Sequence, residues 1–356
     1  MHSERRPRLT PAIADVRRAV RTALAALPEV EARQRTGSAA VDASVSANQA
    51  PLVLVALSGG PDSLALAAAT AFEASKAGLR AGAVIVNHNL QDGSADVAAA
   101  AAQQARDLGL DPVDIRTVHV GDAGGPESAA RDARYTALAE AAAEYGATRV
   151  LLGHTLDDQA ETVLLGLARG SGSGSLKGMA ADTGNYLRPL LAVARATTHQ
   201  FCDDSGIVAW NDPHNVETSY ARVRVRQTIL PLLEKELGPG IREALARTAD
   251  QAREDAEALD HFAEEMAEDL AEISEAGISL PVRALAANPA ALRQRLIRLA
   301  VASEFHVSLS RTHTLEIARL VTDWRGQGPI HVPGVRVERR ENLLHFSANS
   351  QERDAV

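Results

Sequence analysis

Four short stretches gather residue types that can handle an anion, a divalent cation and a proton. The first is SGGPDS, Ser58 to Ser63, with two hydroxyls, two glycines and one carboxylate. It follows an apolar β-branched run and opens an alanine- and leucine-rich segment, which reads as strand, tight turn and helix. Backbone amides at a helix start hold anions. Ser58, Gly59, Gly60, Pro61 and Ser63 are therefore candidates to cradle a pyrophosphate while Asp62 takes Mg²⁺, an ion that favours carboxylates together with phosphate oxygens. A plain left-handed turn, with Asp62 and Ser63 capping first-turn amides, is the alternative. The lysine of GxxxxGK[ST] is missing and GGPDS does not fit GxGxxG, so neither a kinase-type phosphate loop nor a dinucleotide loop is present.

The second stretch, GHTLDDQAET, places Asp157, Asp158 and Glu161 within one and a half helical turns. Asp158 and Glu161 share a face at i, i+3, which suits a Mg²⁺ site or an acceptor for the proton of an incoming amine. Thr155 followed by Asp158 also approaches a capping box, and carboxylates at a helix start gain about 0.3–1 kcal/mol from its dipole. Capping accounts for one acid and leaves the others. In the third stretch, Arg131 and Arg134 lie three apart on one helix face and can address one anion, or they form a solvated face pairing with Glu127 and Asp132. The fourth holds Arg222, Arg224 and Arg226, with Arg222 and Arg226 one turn apart.

These residues need a frame, and the sequence supplies one. From 51 to about 215 strands alternate with helices: VLVALS then 61–77, AGAVIVNHNL then 95–108, VDIRTVHV then 128–145, RVLLGHT then 156–168. Such alternation predicts right-handed βαβ units and an α/β fold with a doubly wound parallel sheet. Ligands in these sheets sit at the carboxyl ends of the strands, where SGGPDS, NHNLQDGS and GHTLDD all fall. We divide the chain into an N-terminal helix (11–33) and mobile loop over 1–50, a catalytic domain over 51–218, a helical linker over 219–275, and a small α+β C-terminal domain over 276–356. The linker shows Leu233, Leu237, Ile241 and Leu245 at i, i+4, and Pro333-Gly334 marks the turn of a terminal hairpin. GSGSGS after Arg169 reads as a mobile loop able to close over substrate, or as a linker without a role.

Composition sets the boundaries. With 356 residues the chain is long enough for two or three domains. Cys202 is the sole cysteine, which excludes a disulfide, a cysteine zinc cage and a two-cysteine sulfur relay within the chain. A net charge of −9 argues against nucleic-acid binding over the whole surface and leaves room for a local basic face. No run of about 18 apolar residues is present to span a bilayer and the N-terminus lacks a secretory apolar segment, so a cytoplasmic protein without a membrane partner is expected.

SGGPDS resembles the SGGxDS signature of the PP-loop ATP pyrophosphatases, adenine nucleotide alpha hydrolase-like enzymes that split ATP between the α and β phosphates. Further matches are similar to one family within them, tRNA(Ile)-lysidine synthetase. VNHNLQDGS resembles its VxHxLR, with Gln91 replacing Arg. ESAARDARYTAL resembles ARxxRYxxL. LLGHTLDDQAETVLLGLARGSG resembles GHHxxDDQAETxLLRLLRGSG, with Thr155 replacing the second His. The stretch Arg188 to Leu233 resembles RPLL, WxxDPSN and YxRNxIRxxxLPxL, with Val223 replacing Asn. Together they cover Pro51 to Leu233.

The resemblance implies ATP and Mg²⁺ as cofactors and, as partners, L-lysine and an isoleucine tRNA with a CAU anticodon. It implies ligation of lysine to C2 of the wobble cytidine through an adenylylated intermediate. Asp62, Asp158, Glu161, Arg131, Arg134 and Arg226 are the implied catalytic set, with Asp62 and Asp158 on the metal. His88 lies at the nucleotide, and His154, Asp157, Asp212, Asn215, Arg222 and Arg224 serve substrate. Arg293, Arg295 and Arg298 suggest a tRNA-binding face on the C-terminal domain, with amphipathic packing as the competitor. A homodimer stays open. The alternatives are a tRNA thiolase or an amidating synthetase of the same superfamily, against which the single cysteine argues, and a nucleotide-binding regulator of the same fold that hydrolyses nothing.

Overall fold

The computed structural model describes residues 9–35, 50–89, 93–119, 121, 126–170, 173–210, 219–274 and 277–349. Of the mobile loop expected over 34–49, Gln34 and Arg35 belong to a helix and residues 36–49 lie outside the described residues, as do Gln91, Asp212 and Asn215. The chain forms two compact units, 1–250 and 251–356.

In the first unit the alternation seen in the sequence becomes α1 (Pro11–Ala25), α2 (Pro28–Arg35), β1 (Leu52–Ala56), α3 (Pro61–Ala74), β2 (Arg80–Asn87), α4 (Ser94–Asp107), β3 (Val113–Thr117), α5 (Pro126–Tyr145), β4 (Ala147–Leu151), α6 (Leu156–Ala168), β5 (Tyr186–Leu187) and α7 (Arg195–Ser205). After these come α8 (Ala221–Arg224), a π-turn over Val225–Ile229, α9 (Leu230–Leu237) and the start of α10 (Ile241–Leu270). The five strands pair in parallel in the order β3-β2-β1-β4-β5. The chain runs outward from β1 through β2 to β3 and then returns to the other side as β4. The strand order therefore reverses between β1 and β4, where open parallel sheets leave a crevice. Every residue of β1 is buried, as a central strand covered by helices on both faces requires.

Proline and glycine interrupt two of the expected helices. Pro28 disfavours helical backbone at the residue before it, so the helix expected over 11–33 is broken at Ala26 and Leu27. The 220–275 stretch is divided by the π-turn before Pro231 and by Gly238-Pro239-Gly240. The segment read as a mobile loop is corrected in part. Ser173–Lys177 is a short 3₁₀ turn against α6, so close that a Cβ on Gly166 would sit 2.6 Å from the Ser175 carbonyl oxygen.

The second unit begins within α10 and continues as β6 (Glu272–Ser274), β7 (Gly277–Pro281), α11 (Val282–Ala287), α12 (Ala290–Phe305), α13 (Arg311–Thr322), β8 (Ile330–Val332), β9 (Val335–Arg340) and β10 (Leu343–Ala348). Its sheet is antiparallel in the order β6-β7-β10-β9-β8, so the expected hairpin belongs to a larger sheet. Leu280, Leu296, Ile317, Val337 and Phe346 are among its core residues. Gly277 has φ +128° and lies so near the Phe346 carbonyl that no side chain fits there.

Candidate active site

β1 ends beside the crevice, and the SGGPDS loop turns there. Gly59, at φ +82°, adopts the left-handed conformation that side chains disfavour. Ser63 Oγ donates to the Gly60 carbonyl at 2.9 Å and accepts from the Ser58 amide at 3.2 Å, which fixes the loop from within. Gly60 is the N-cap of α3 and offers no side chain to its first-turn amides, and Pro61 follows at the position where helices tolerate proline. The helix start is thus uncapped by side chains, as an anion site requires.

From β4, the loop carrying Gly153, His154 and Thr155 leads into α6. Gly153 lies directly against the start of α3, where an added Cβ would meet Asp62 C, Asp62 O and Ser63 Cα, each at 3.2 Å. This close approach brings Asp62 beside the acids of α6. Asp158 accepts the Thr155 amide and the Thr155 hydroxyl, each at 2.8 Å, through Oδ2. Its Oδ1 faces Arg195 Nη2 at 2.8 Å and Arg226 Nη2 at 3.4 Å. Glu161 is fully buried and meets Arg226 Nε at 2.7 Å, Arg195 Nη1 at 3.2 Å and Arg222 Nε at 3.3 Å. Arg195 Nε reaches Asp62 Oδ2 at 3.4 Å, and the Thr198 hydroxyl donates to Asp62 Oδ1. To one side, Asp157 accepts the Arg195 amide at 2.8 Å and pairs with Arg242 at 3.1 Å.

Burial acts on these carboxyls unequally. It lifts Asp62 above the usual carboxylate range, although Thr198 and Arg195 pull the other way. Burial also pushes Asp158 upward, but Arg195, the Thr155 amide and Arg222 outweigh it and hold this carboxyl below the usual range. Arg195 loses solvation as well, yet Asp158, Glu161 and Asp62 keep its pKa raised.

A second group lies near Arg134, which is half-buried and has no ion pair among the described residues. Burial, then Arg134, lowers His88. His154 is pushed down to about 3, first by burial and further by Arg134, Arg188 and Arg222, against the attraction of Asp158. Its imidazole is neutral, and the Nδ1 atoms of both histidines are buried without a hydrogen-bond partner.

The spacing thus brings Asp62, Asp157, Asp158, Glu161, Arg222 and Arg226 together. Arg131 stands apart, exposed and donating to the Tyr135 hydroxyl at 3.2 Å over that ring. Arg224 points to the Ser219 carbonyl at 2.6 Å. In the second unit, Arg295 pairs with Asp260 at 2.6 Å and Arg293 donates to the Leu285 and Asn288 carbonyls.

Two residues at the centre escaped the sequence reading, Arg195 and Thr198. Their signal was electrostatic: an arginine at the first position of a helix opposes the helix dipole and needs local acids to hold it there.

Asp62 and Asp158 flank one cation position, filled by the Arg195 guanidinium. Two hard carboxylate oxygens next to an anion-binding helix start suit Mg²⁺. Among the described residues no group of three or more His, Cys, Asp or Glu is arranged to hold a metal. Such an ion would therefore rest on these two carboxylates and on oxygens of an anion held at the helix start.

A model of the PP-loop domain matches residues 31–233, and a model of the TilS substrate binding domain matches residues 280–345. The chain is 62% identical over 296 residues to a tRNA(Ile)-lysidine synthase of Leifsonia xyli subsp. xyli, covering 83% of this chain and 89% of that one. It is 50% identical over 334 residues to a tRNA(Ile)-lysidine synthase of Thermobifida fusca, covering 93% and 96%. Among solved structures, the U34-tRNA thiolase NcsA from Methanococcus maripaludis with its 4Fe-4S cluster shares the fold, with a TM-score of 0.52 at 19% identity over 67% of this chain and 78% of that one.

Proposed function

The chain belongs to the tRNA(Ile)-lysidine synthase family of ATP-using PP-loop ligases, and from that premise we propose that it joins L-lysine to C2 of the wobble cytidine in the CAU anticodon of an isoleucine tRNA. ATP is split into AMP and pyrophosphate, and the codon read changes from AUG to AUA. The observation that carries this reading is the meeting of Asp62, Asp158 and Glu161 in one arginine-lined cluster at the sheet's switch point, beside an uncapped helix start.

In the first step cytidine O2 attacks the α-phosphate and the bond to the pyrophosphate oxygen breaks. Ser58, Gly59, Gly60, Ser63 and the first-turn amides of α3 hold the departing pyrophosphate. Asp62 and Asp158 would hold Mg²⁺, which neutralises triphosphate charge. Arg134, without a carboxylate partner among the described residues, has its charge available to the α-phosphate, with His88 close by at the nucleoside. Arg131, one turn earlier on α5, joins that edge once it leaves the Tyr135 ring.

In the second step the lysine side-chain nitrogen attacks C2, the C2–O2 bond breaks, and AMP leaves with the oxygen and the bonding pair. The amine, with a solution pKa of about 10.4, must react as the free base, so a carboxylate takes its proton. Asp158 and Glu161 are the candidates, and each must first lose an arginine to free an oxygen lone pair. Asp157 and the neutral His154 are assigned to the entering amino acid and base, Arg222 and Arg224 to tRNA phosphate, and Arg226 to the charge developing on the α-phosphate. The reaction is assigned to the cytoplasm. No helix among the described residues is long and apolar enough to cross a membrane.

A thiolase reading finds no support in Cys202. It is buried, burial pushes its thiol up to about 12, and it donates to the Pro61 carbonyl at 3.4 Å.

The test incubates protein, ATP, Mg²⁺ and labelled L-lysine with an isoleucine tRNA transcript bearing CAU, beside one with uridine at the wobble position. Acid-precipitable label that needs ATP and the wobble cytidine, and disappears in Asp62→Ala, is the expected result. Pyrophosphate release without label would refute the lysine assignment.

A further inference from the structure

The carboxylate cluster is balanced. Asp62, Asp158 and Glu161 face Arg195, Arg222 and Arg226, three acids against three bases, and Arg195 is the one base that touches all three acids. Arg222 and Arg226 approach from the α8 side and centre on Glu161. Among the described residues, Arg195 alone sits in the gap between Asp62 and the α6 carboxylates, the position proposed above for a divalent cation. A doubly charged ion added there meets a neutral cluster and a guanidinium already on the same oxygens. Such an ion gains little by entering alone. Brought by a triphosphate, it enters with a net negative charge, and the displaced guanidinium finds phosphate oxygens as new acceptors.

The backbone of Arg195 is built to stay while its side chain moves. Its amide is held by Asp157 at 2.8 Å, and its carbonyl lies 2.7 Å from the Thr198 hydroxyl, whose single proton it shares with Asp62, so the Asp157 bond keeps the start of α7 in place whichever acceptor the guanidinium finds. The contact with Asp62, at 3.4 Å, is longer than that with Asp158, at 2.8 Å.

From this, and resting on the reading of an ATP site above, we infer that Arg195 is the resident counter-ion of the cluster: it excludes free divalent cation and yields Asp62 and Asp158 only when the cation arrives on the nucleotide. Arg195 acts here as a positioning residue that couples metal entry to nucleotide entry. An acidic site that took Mg²⁺ alone would have no need of it.

Mn²⁺ electron paramagnetic resonance on the full chain tests this, with and without a non-hydrolysable α,β-methylene analogue of ATP. Wild-type protein is expected to leave the free-ion signal unchanged without the analogue and, with the analogue, to quench it beyond the loss that the analogue alone causes in a protein-free control. Arg195→Gln, which keeps side-chain reach and removes the charge, is expected to bind Mn²⁺ without nucleotide at least about tenfold more tightly than wild type. Arg195→Lys is expected to restore exclusion, a rescue that a packing role would not give. Equal Mn²⁺ binding by wild type with and without the analogue overturns the inference. So does an Arg195→Gln protein that melts cooperatively, retains the analogue and gains no free-ion binding. If Arg195→Gln does not fold, the wild-type and Arg195→Lys measurements decide. Failure of wild type to bind the analogue at all would instead refute the ATP-site reading, and equilibrium dialysis with labelled analogue separates the two.

Discussion

Replacing Glu161 by glutamine removes one charge while preserving shape, and the structure sets its cost. The carboxylate is fully buried and meets the nitrogens of three arginines at 2.7 to 3.3 Å. Breaking a buried ion pair by deleting one partner costs about 3–5 kcal/mol, because the other charge is left buried and uncompensated. The arginine side chains here retain 16% to 29% exposure, so water softens the penalty toward the lower figure. With about 2–4 °C of melting temperature per kcal/mol in a unit of this size, about 3 kcal/mol lowers the transition of the first unit by about 6–12 °C. Calorimetry at neutral pH reads the shift. Molar salt should leave most of it in place, since partly buried pairs are poorly screened. Combining Glu161→Gln with Arg226→Gln should cost less than the sum of the two by about 1–3 kcal/mol. A shift below about 2 °C, or strict additivity, would refute the claim that Glu161 is the electrostatic anchor of the arginines.

Two further substitutions probe the frame around the cluster. Gly153→Ala places a methyl group 3.2 Å from the Asp62 and Ser63 backbone and must push the two loops apart. It should cost about 1–3 kcal/mol of stability and lower kcat/KM for ATP by roughly tenfold, with unchanged kinetics in a folded variant counting against the close approach. His154 is half-buried and neutral while the unfolded chain protonates its imidazole near pH 6.5, so the stability it contributes is present above that value and is lost as pH falls toward about 3. Between pH 7 and pH 5 the loss is about 2 kcal/mol. Urea midpoints at both pH values should show it in the wild type and lose it in His154→Gln; equal slopes would sink the assignment. Asp62, with its raised pKa, works in the opposite direction and gains stability as pH falls through its titration.

The sheet and its loops were legible because fully buried strands such as Leu52–Ala56 read as continuous apolar runs and the helices between them by their alanine-rich composition and turn residues. α6 begins and ends where the pattern placed it, at Leu156 and Ala168. Asp62, Asp158 and Glu161 were legible for a related reason, since local spacing fixes which side chains share a helix face. The cluster's partners are another matter. Arg195 comes to Asp62 across 133 positions, through the return of the chain to the far side of β4, and no local pattern encodes that meeting. β7 was hidden because GISLP is short and runs directly into a helix. The π-turn over Val225–Ile229, which carries Arg226, leaves no mark in the sequence periodicity.

The N-terminal helix lies almost entirely before the matched PP-loop region, yet it covers the rear of the helices that carry Asp62 and Arg195. Ile13, Val16, Val20 and Leu24 are buried, Arg21 pairs with the buried Glu73 of α3 at 2.9 Å, and Thr10 bonds Asp204 of α7. Those four side chains account for about 6–12 kcal/mol of burial, comparable to the net stability of a whole domain. A chain trimmed to the nucleotide-binding motifs would keep every reactive group named here and lose the wall they lean on. Mutations that silence such an enzyme can therefore fall in a helix that touches no substrate.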